Sequence, residues 1–113
     1  MMNSDSQPIL SGVPASPGTA EGIARIFLPS DNAANFQEGE ILVTTITDPT
    51  MVGAMIKAAA IVTDIGGVTS HPAILSREMG IPCVVNTKQA TTVIKNGIRI
   101  LVDGTKGEIY ALD

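Results

Sequence analysis

The chain is almost without cysteine and histidine, with one of each in 113 residues. Cys83 alone cannot close an internal disulfide. Cys83 and His71 together cannot assemble a cluster of metal-binding His and Cys, so no metal is expected on this chain. Tryptophan is absent, and Phe27, Phe36 and Tyr110 are the only aromatic residues. That leaves no platform for stacking nucleic-acid bases. Positive charge is also scarce, with seven Lys+Arg against eleven Asp+Glu and a net charge of -4. A nucleic-acid binder needs a basic face to neutralise phosphates, and a peripheral membrane binder needs a polybasic patch; neither is present. The longest purely apolar run is Ala58 to Val62, against the roughly 20 residues of a membrane span. Met1 to Leu10 has neither the basic start nor the apolar core of a signal peptide. A reduced, cytoplasmic setting is the expectation.

What the chain does have is a core. Its apolar fraction of 44% suits a globular domain and excludes a disordered one. The length fits one domain, with a flexible N-terminus at 1–7 and the domain at 8–113. Gly12 to Gly18 holds two prolines and two glycines and reads as a rigid, turning loop. Ile23 to Leu28 reads as a strand closed by Pro29, and Asp31 to Glu40 as a surface loop with Glu38 and Glu40 as surface charges. Ile41 to Thr45 and Ala60 to Thr63 are β-branched, apolar and strand-like. Between them, Asp48-Pro49 signals a helix start by an N-cap carboxylate followed by proline. That helix should run to about Ala59 and turn Met51, Val52, Met55 and Ile56 toward a sheet.

A second helix should begin around Thr69-Ser70-His71-Pro72 and end at Gly80, before Ile81-Pro82. Cys83 to Val85 follows as a short buried strand, in which Cys83 serves as a small hydrophobe. Thr91 to Ile94 is β-branched and fits a short helix or a strand. Asn96-Gly97 marks a turn, and Ile98 to Asp103 alternates like a strand. Asp103-Gly104 turns again into a closing strand at Glu108 to Leu112. The sum is an α/β domain with short β-α-β connections.

The chemically informative stretch is Gly66-Gly67-Val68-Thr69-Ser70-His71-Pro72. A buried strand runs into two glycines, two hydroxyl residues, the sole histidine and a helix start. Helix N-termini present unpaired N–H groups and partial positive charge, and glycine backbone lets a ligand approach closely. Together they suit an anion, phosphate first. A histidine there is favoured as the neutral ring, whose free nitrogen is nucleophilic. Once phosphorylated, the ring carries negative charge that the same helix end stabilises. On the residues alone, His71 could instead be structural, and the Thr-Ser pair a plain helix cap. Asp64 fits an orienting role or a strand-end turn, and Arg77 a phosphate contact or a solvated helix position.

The run from Gly66 through Val85, with its Gly-Gly-Val-Thr-Ser-His core and its Ser-Arg-Glu-Met-Gly-Ile-Pro continuation, resembles the phosphohistidine signature of phosphoenolpyruvate-utilising enzymes. That family includes pyruvate phosphate dikinase, phosphoenolpyruvate synthase and enzyme I of the sugar phosphotransferase system. Val13 to Gly18, Thr47-Asp48-Pro49 and Val102-Asp103-Gly104 resemble further blocks of the same domain. The resemblance implies a swivelling β/β/α domain with helices packed on a mixed sheet. It implies that His71 is the phosphorylated histidine, that Gly66, Gly67, Thr69 and Ser70 surround the phosphoryl group, and that Arg77 matches the family's helix arginine. Thr69 matches the threonine that a regulatory kinase phosphorylates in some members. The partners implied are an ATP-grasp-like nucleotide-binding domain and a barrel domain that exchanges phosphate with pyruvate and phosphoenolpyruvate. ATP and magnesium belong to those partners, and no cofactor is expected on this chain. A barrel needs about 250 residues, so the chain cannot complete such a cycle alone. Asn86 stands where members often have glycine, and Ser76 where they often have alanine. The alternative is a docking or regulatory module of the same fold with His71 idle. A weaker alternative is a site that holds phosphate without covalent chemistry.

Overall fold

The computed structural model of the protein describes residues 7–28 and 30–112. Most of the expected flexible lead, residues 1–6, and the strand-closing Pro29 lie outside the described residues. The described residues form strands β1 (Leu10–Ser11), β2 (Val13–Ser16), β3 (Thr19–Ile26), β4 (Ile41–Thr44), β5 (Ala60–Thr63), β6 (Cys83–Val85), β7 (Arg99–Asp103) and β8 (Glu108–Ala111). Helices α1 (Val52–Lys57), α2 (His71–Met79) and α3 (Ala90–Val93) connect them. The sheet order is β1-β8-β7-β3-β4-β5-β6-β2. Its centre, β3-β4-β5-β6, is parallel, and its outer strands pair antiparallel.

Strands β4, β5 and β6 are short, rich in β-branched residues and buried on both faces, as covered parallel strands must be. Side chains alternate between two cores. Leu42, Ile61 and Val85 join Phe36, Met51, Met55 and Ala73 on the side of α1 and α2. Ile41, Val43, Val62 and Val84 join Ala90, Ile100, Val102 and Ile109 on the other side. The long β3 links the halves: residues 19–23 pair with β7 and residues 24–26 with β4. The turn after β7 folds back on the opposite edge, where Gly104 packs so closely on β2 and β6 that a Cβ there would lie 2.0 Å from the Ser16 carbonyl oxygen and 2.9 Å from the Cys83 nitrogen. The sheet is thereby nearly closed into a barrel.

Several local expectations are corrected. The proline-rich Gly12 to Gly18 segment contains the strand β2, because Pro14 sits on the outermost strand, where a missing N–H costs no ladder bond. The strand expected at Ile23 begins four residues earlier, at Thr19. The helix after Asp48-Pro49 is short: Asp48 accepts from Thr50 N–H at 2.8 Å, a 3-10 turn covers Pro49–Met51, and α1 ends at Lys57. Met51 and Met55 are buried as expected, but Ile56 is 61% exposed and Ala54 and Ala58 complete the buried face. Thr91 to Ile94 resolves as helix, since α3 covers Ala90–Val93. Gly80 ends α2 with φ 74°, the left-handed cap that glycine favours.

Glu40 is not a surface charge. Its residue is only 9% exposed, and it accepts from Arg25 Nη2 at 2.6 Å, Arg25 Nε at 3.2 Å and the Gln37 N–H at 2.8 Å. Glu38 does lie exposed. Burial pushes the Glu40 carboxyl upward, but the Arg25 and Gln37 hydrogen bonds and the Arg25 charge outweigh it and hold the carboxyl below its ordinary value. The unfolded chain therefore binds more protons at acid pH, so stability rises with pH in that window. The contribution is fully present above the unfolded value of about 4.3 and is lost as pH falls through the lower folded value. Acid titrations of Tm should show Glu40→Gln less stable than wild type by about 1–2 kcal/mol at pH 7, with the gap closing below pH ~4.

Candidate functional site

The candidate site lies at the carboxyl ends of β4, β5 and β6, the edge where open parallel sheets bind ligands. Beyond β5 the chain stays pinned to β4 for two more residues, with Asp64 N–H on the Thr44 carbonyl and Ile65 N–H on the Thr45 carbonyl. The Thr63 hydroxyl donates to the Ile65 carbonyl at 2.6 Å. Gly66 then turns with φ 126°, and a Cβ there would meet Ser70 Oγ at 3.1 Å. The positive φ calls for glycine, and any Cβ would also press on the Ser70 hydroxyl. Gly67 has no such constraint, and the space beside it is open.

Ser70 is the N-cap residue of α2 by position, yet its hydroxyl turns back to the Gly67 carbonyl at 2.6 Å. No side chain caps the start of α2. The loop thus spends its hydroxyl on its own turn and leaves the helix end open to a ligand, which corrects the reading of Ser70 as a side-chain cap. His71 is exposed as the first residue of α2, and Thr69 is exposed two positions before it.

The contact the sequence concealed is Thr47. Its hydroxyl lies 3.5 Å from His71 Nδ1, at the outer limit of hydrogen bonding, and Thr47 itself is buried. The Asp48 cap beside it fixes the loop that aims it. The pairing spans 24 positions and joins the β4 loop to the β5 loop, so no local pattern signals it. The tautomer that donates Nδ1–H to Thr47 leaves the ring lone pair on Nε2, and the other tautomer accepts the Thr47 hydroxyl at Nδ1.

Arg77 has a partner of its own. It follows His71 by six positions, about a third of a turn away in direction, and its Nη1 donates to the Ala15 carbonyl at 2.8 Å. Ala15 sits at the β2 irregularity, where the register with β6 shifts between Pro14 and Ser16. Arg77 thereby satisfies a buried carbonyl at the sheet edge. The Asp64 carboxylate accepts from the Thr91 N–H at 3.0 Å and the Thr91 hydroxyl at 2.6 Å, so it ties the loop base to α3. Cys83 is fully buried, and burial pushes its thiol up to about 11. It is inert core, as the sequence suggests. Asn86, in the glycine-like position, has φ 57°, and asparagine is among the non-glycine residues that tolerate this best.

Asp48 and Asp64 both spend their carboxylates on backbone N–H groups and hydroxyls. Among the described residues no group of three or more His, Cys, Asp or Glu could hold a metal ion. No helix among them is long and apolar enough to cross a membrane.

Comparison with known proteins now bears on this geometry. Residues 36–107 match the family described as PEP-utilising enzyme, mobile domain. The chain belongs to this family. The mobile domain is 55% identical over 109 residues to a probable phosphoenolpyruvate synthase of Staphylothermus marinus, covering 95% of this chain and 13% of that protein. It is 53% identical over 106 residues to the phosphoenolpyruvate synthase of Pyrococcus furiosus, covering 94% and 13%. The chain therefore spans about an eighth of those relatives' length. Among solved structures, the mobile domain resembles an Enzyme I (nEIt) protein with TM-score 0.62 and 29% identity, covering 72% of this chain and 34% of that one. It also resembles the holo-form of Thermococcus kodakaraensis aconitase X, with TM-score 0.65 and 20% identity, covering 92% and 98%. The latter likeness concerns the fold alone. The swivelling α/β fold is as the resemblance implied.

Proposed function

We propose that this domain carries a phosphoryl group on His71 within a phosphoenolpyruvate synthase-like or dikinase-like phosphotransferase. The observation that supports it is the exposed His71 ring at an uncapped helix start, with Nδ1 at Thr47 and the open backbone of Gly67 alongside. Nδ1–H donates to Thr47 and fixes the tautomer, as second partners of functional histidines do. The Nε2 lone pair attacks the donor phosphorus in line. The N–P bond forms as the bond from phosphorus to the leaving oxygen breaks, and that oxygen keeps the electron pair. In the return step an acceptor oxygen attacks phosphorus and the ring recovers its lone pair. The α2 start and the Gly66 to Ser70 backbone hold the phosphoryl oxygens.

The donor and acceptor belong to other domains: an ATP-grasp-like nucleotide domain, and a barrel that exchanges phosphate with pyruvate or phosphoenolpyruvate. ATP and magnesium act there. Arg77 holds the Ala15 carbonyl through Nη1, and we assign it that structural contact in the resting domain, with the phosphate contact the resemblance implies left to the remainder of its guanidinium. Thr69, exposed beside the histidine, is the proposed site of regulatory phosphorylation, where added negative charge would repel the incoming phosphoryl group.

The test is the position of the phosphoryl group. Nitrogen-15 and phosphorus-31 NMR of the charged chain should place it on Nε2. Thr47→Val should slow charging about 2–10-fold through loss of tautomer control, with Tm nearly unchanged. Phosphorylation on Nδ1, or an unchanged rate in Thr47→Val, would contradict this arrangement.

A further inference from the structure

Eight large apolar side chains lie exposed among the described residues, and four of them gather in the segments that carry His71. These are Ile46, Ile65, Val68 and Ile74, each between 42% and 51% exposed. Covalent neighbours and hydrogen bonds place them. Ile46 precedes Thr47, whose hydroxyl lies 3.5 Å from His71 Nδ1. Ile65 N–H donates to the Thr45 carbonyl at 3.0 Å, which ties the two loops side by side. Val68 stands inside the turn that Ser70 closes on the Gly67 carbonyl, through its N–H at 3.0 Å and its hydroxyl at 2.6 Å. His71 follows Ser70 directly. Ile74 comes three positions after His71 on α2, so the two are neighbours on the helix surface, with Cβ atoms about 5–6 Å apart. Helical side chains lean toward the amino end, so Ile74 leans over the turn that begins with His71.

The same segments bring no charge. No Asp, Glu, Lys or Arg occurs from Ile41 to Thr47 or from Ile65 to Ser76. Single apolar residues on a surface mean little, but a group of them around one reactive side chain marks a contact surface. The chemistry of the site decides the occupant. A nitrogen that attacks phosphorus must come within about 3–3.5 Å of it, so whatever holds the donor phosphate covers the rim of His71 during transfer. A free small-molecule donor would leave the four side chains in water, whereas a protein surface removes them from it.

We infer that Ile46, Ile65, Val68 and Ile74 form an apolar collar on which the phosphoryl-donating domain docks. The matching surface is an apolar rim around a cationic phosphate pocket, since the collar segments offer the phosphoryl oxygens backbone N–H groups and no charged side chain. The inference rests on the carrier reading and specifies the partner surface for the same site. The closed collar keeps out water, the competing acceptor for the phosphoryl group. Four half-exposed side chains make a small patch, suited to a contact that must release after transfer.

The test compares two donors. Potassium phosphoramidate needs no docking: the bond from the His71 ring nitrogen to phosphorus forms as the bond to ammonia breaks, and ammonia leaves with the electron pair. Pyrococcus furiosus phosphoenolpyruvate synthase with ATP is the protein donor. Intact mass follows charging of wild type, Ile46→Thr, Ile65→Thr, Ile74→Gln and the triple variant. Ile56→Gln is the control for lost apolar surface, because Ile56 lies at the opposite edge, where the neighbouring Lys57 carbonyl accepts from Gly39 N–H just before β4. With the synthase, each single collar variant should charge about fivefold more slowly than wild type and the triple variant about thirtyfold. Ile56→Gln should match wild type. With phosphoramidate, all variants should stay within about twofold of wild type, with Tm nearly unchanged. Equal charging of the triple variant and wild type by the synthase overturns the inference. So does an equal loss in Ile56→Gln, or a loss that phosphoramidate charging shares. Wild type charged by phosphoramidate but not by the synthase overturns it too and leaves the carrier reading standing. If neither donor charges wild type, the carrier reading fails and the inference with it.

Discussion

Replacing His71 with alanine is expected to abolish phosphoryl uptake while leaving the domain folded. The residue is exposed, and the polar approach its ring makes is the 3.5 Å one to Thr47. Alanine is a better helix former at that position. Exposed substitutions of this kind change stability by about 0.5 kcal/mol or less, so Tm should stay within about 4 °C of wild type. No second nitrogen nucleophile of this kind can take over: the chain has no second histidine, Cys83 is buried, and Ser70 is engaged with Gly67. Loss of uptake together with unfolding would mean that His71 is a structural residue. Retained uptake would place the nucleophile elsewhere.

Gly104→Ala is expected to produce the largest loss of stability. A Cβ at Gly104 would lie 2.0 Å from the Ser16 carbonyl oxygen, 2.9 Å from the Cys83 nitrogen and 3.0 Å from Pro82 Cβ. Two of these are backbone atoms in β2 and β6, so no side-chain rotation relieves the clash. The β7–β8 turn must lift by roughly 1 Å, which strains the hydrogen bond from Gly104 N–H to the Gly18 carbonyl and opens the sheet closure. Overpacking and the weakened bond together should cost about 3 kcal/mol or more, or a fall in Tm of about 12–24 °C. Gly67→Ala is the control, because open space surrounds that position and its φ is not in the left-handed region. Its Tm should be close to wild type. Similar Tm values for both variants would contradict the closed sheet.

These two predictions differ in how far the sequence reveals them. His71 stands out by local chemistry, since a glycine pair, hydroxyls and a proline frame it within seven residues. The buried strands β4, β5 and β6 were equally plain, because short β-branched runs between turn residues have few other uses. The Asp48 cap and the Gly80 stop also read correctly, being local hydrogen-bond devices. Contacts made across the fold were hidden. Glu40 looks like any loop acid until Arg25 is beside it, Pro14 argues against a strand until β2 proves to be the edge, and the polar start of β3 is a strand because β7 pairs with it. Thr47 belongs to the same class. Its neighbour Asp48 was legible as a cap, but the 24-residue span to His71 depends on how β4 and β5 align.

The most direct measurement is the intact mass of the chain isolated from its own cells, and again after incubation with candidate nucleotide and barrel partners plus ATP or phosphoenolpyruvate. The carrier account predicts a gain of one phosphoryl group that mild acid removes and mild alkali leaves, absent from His71→Ala. No gain under any of these conditions, or a gain that survives acid and persists in His71→Ala, would contradict it and favour a docking module with an idle histidine.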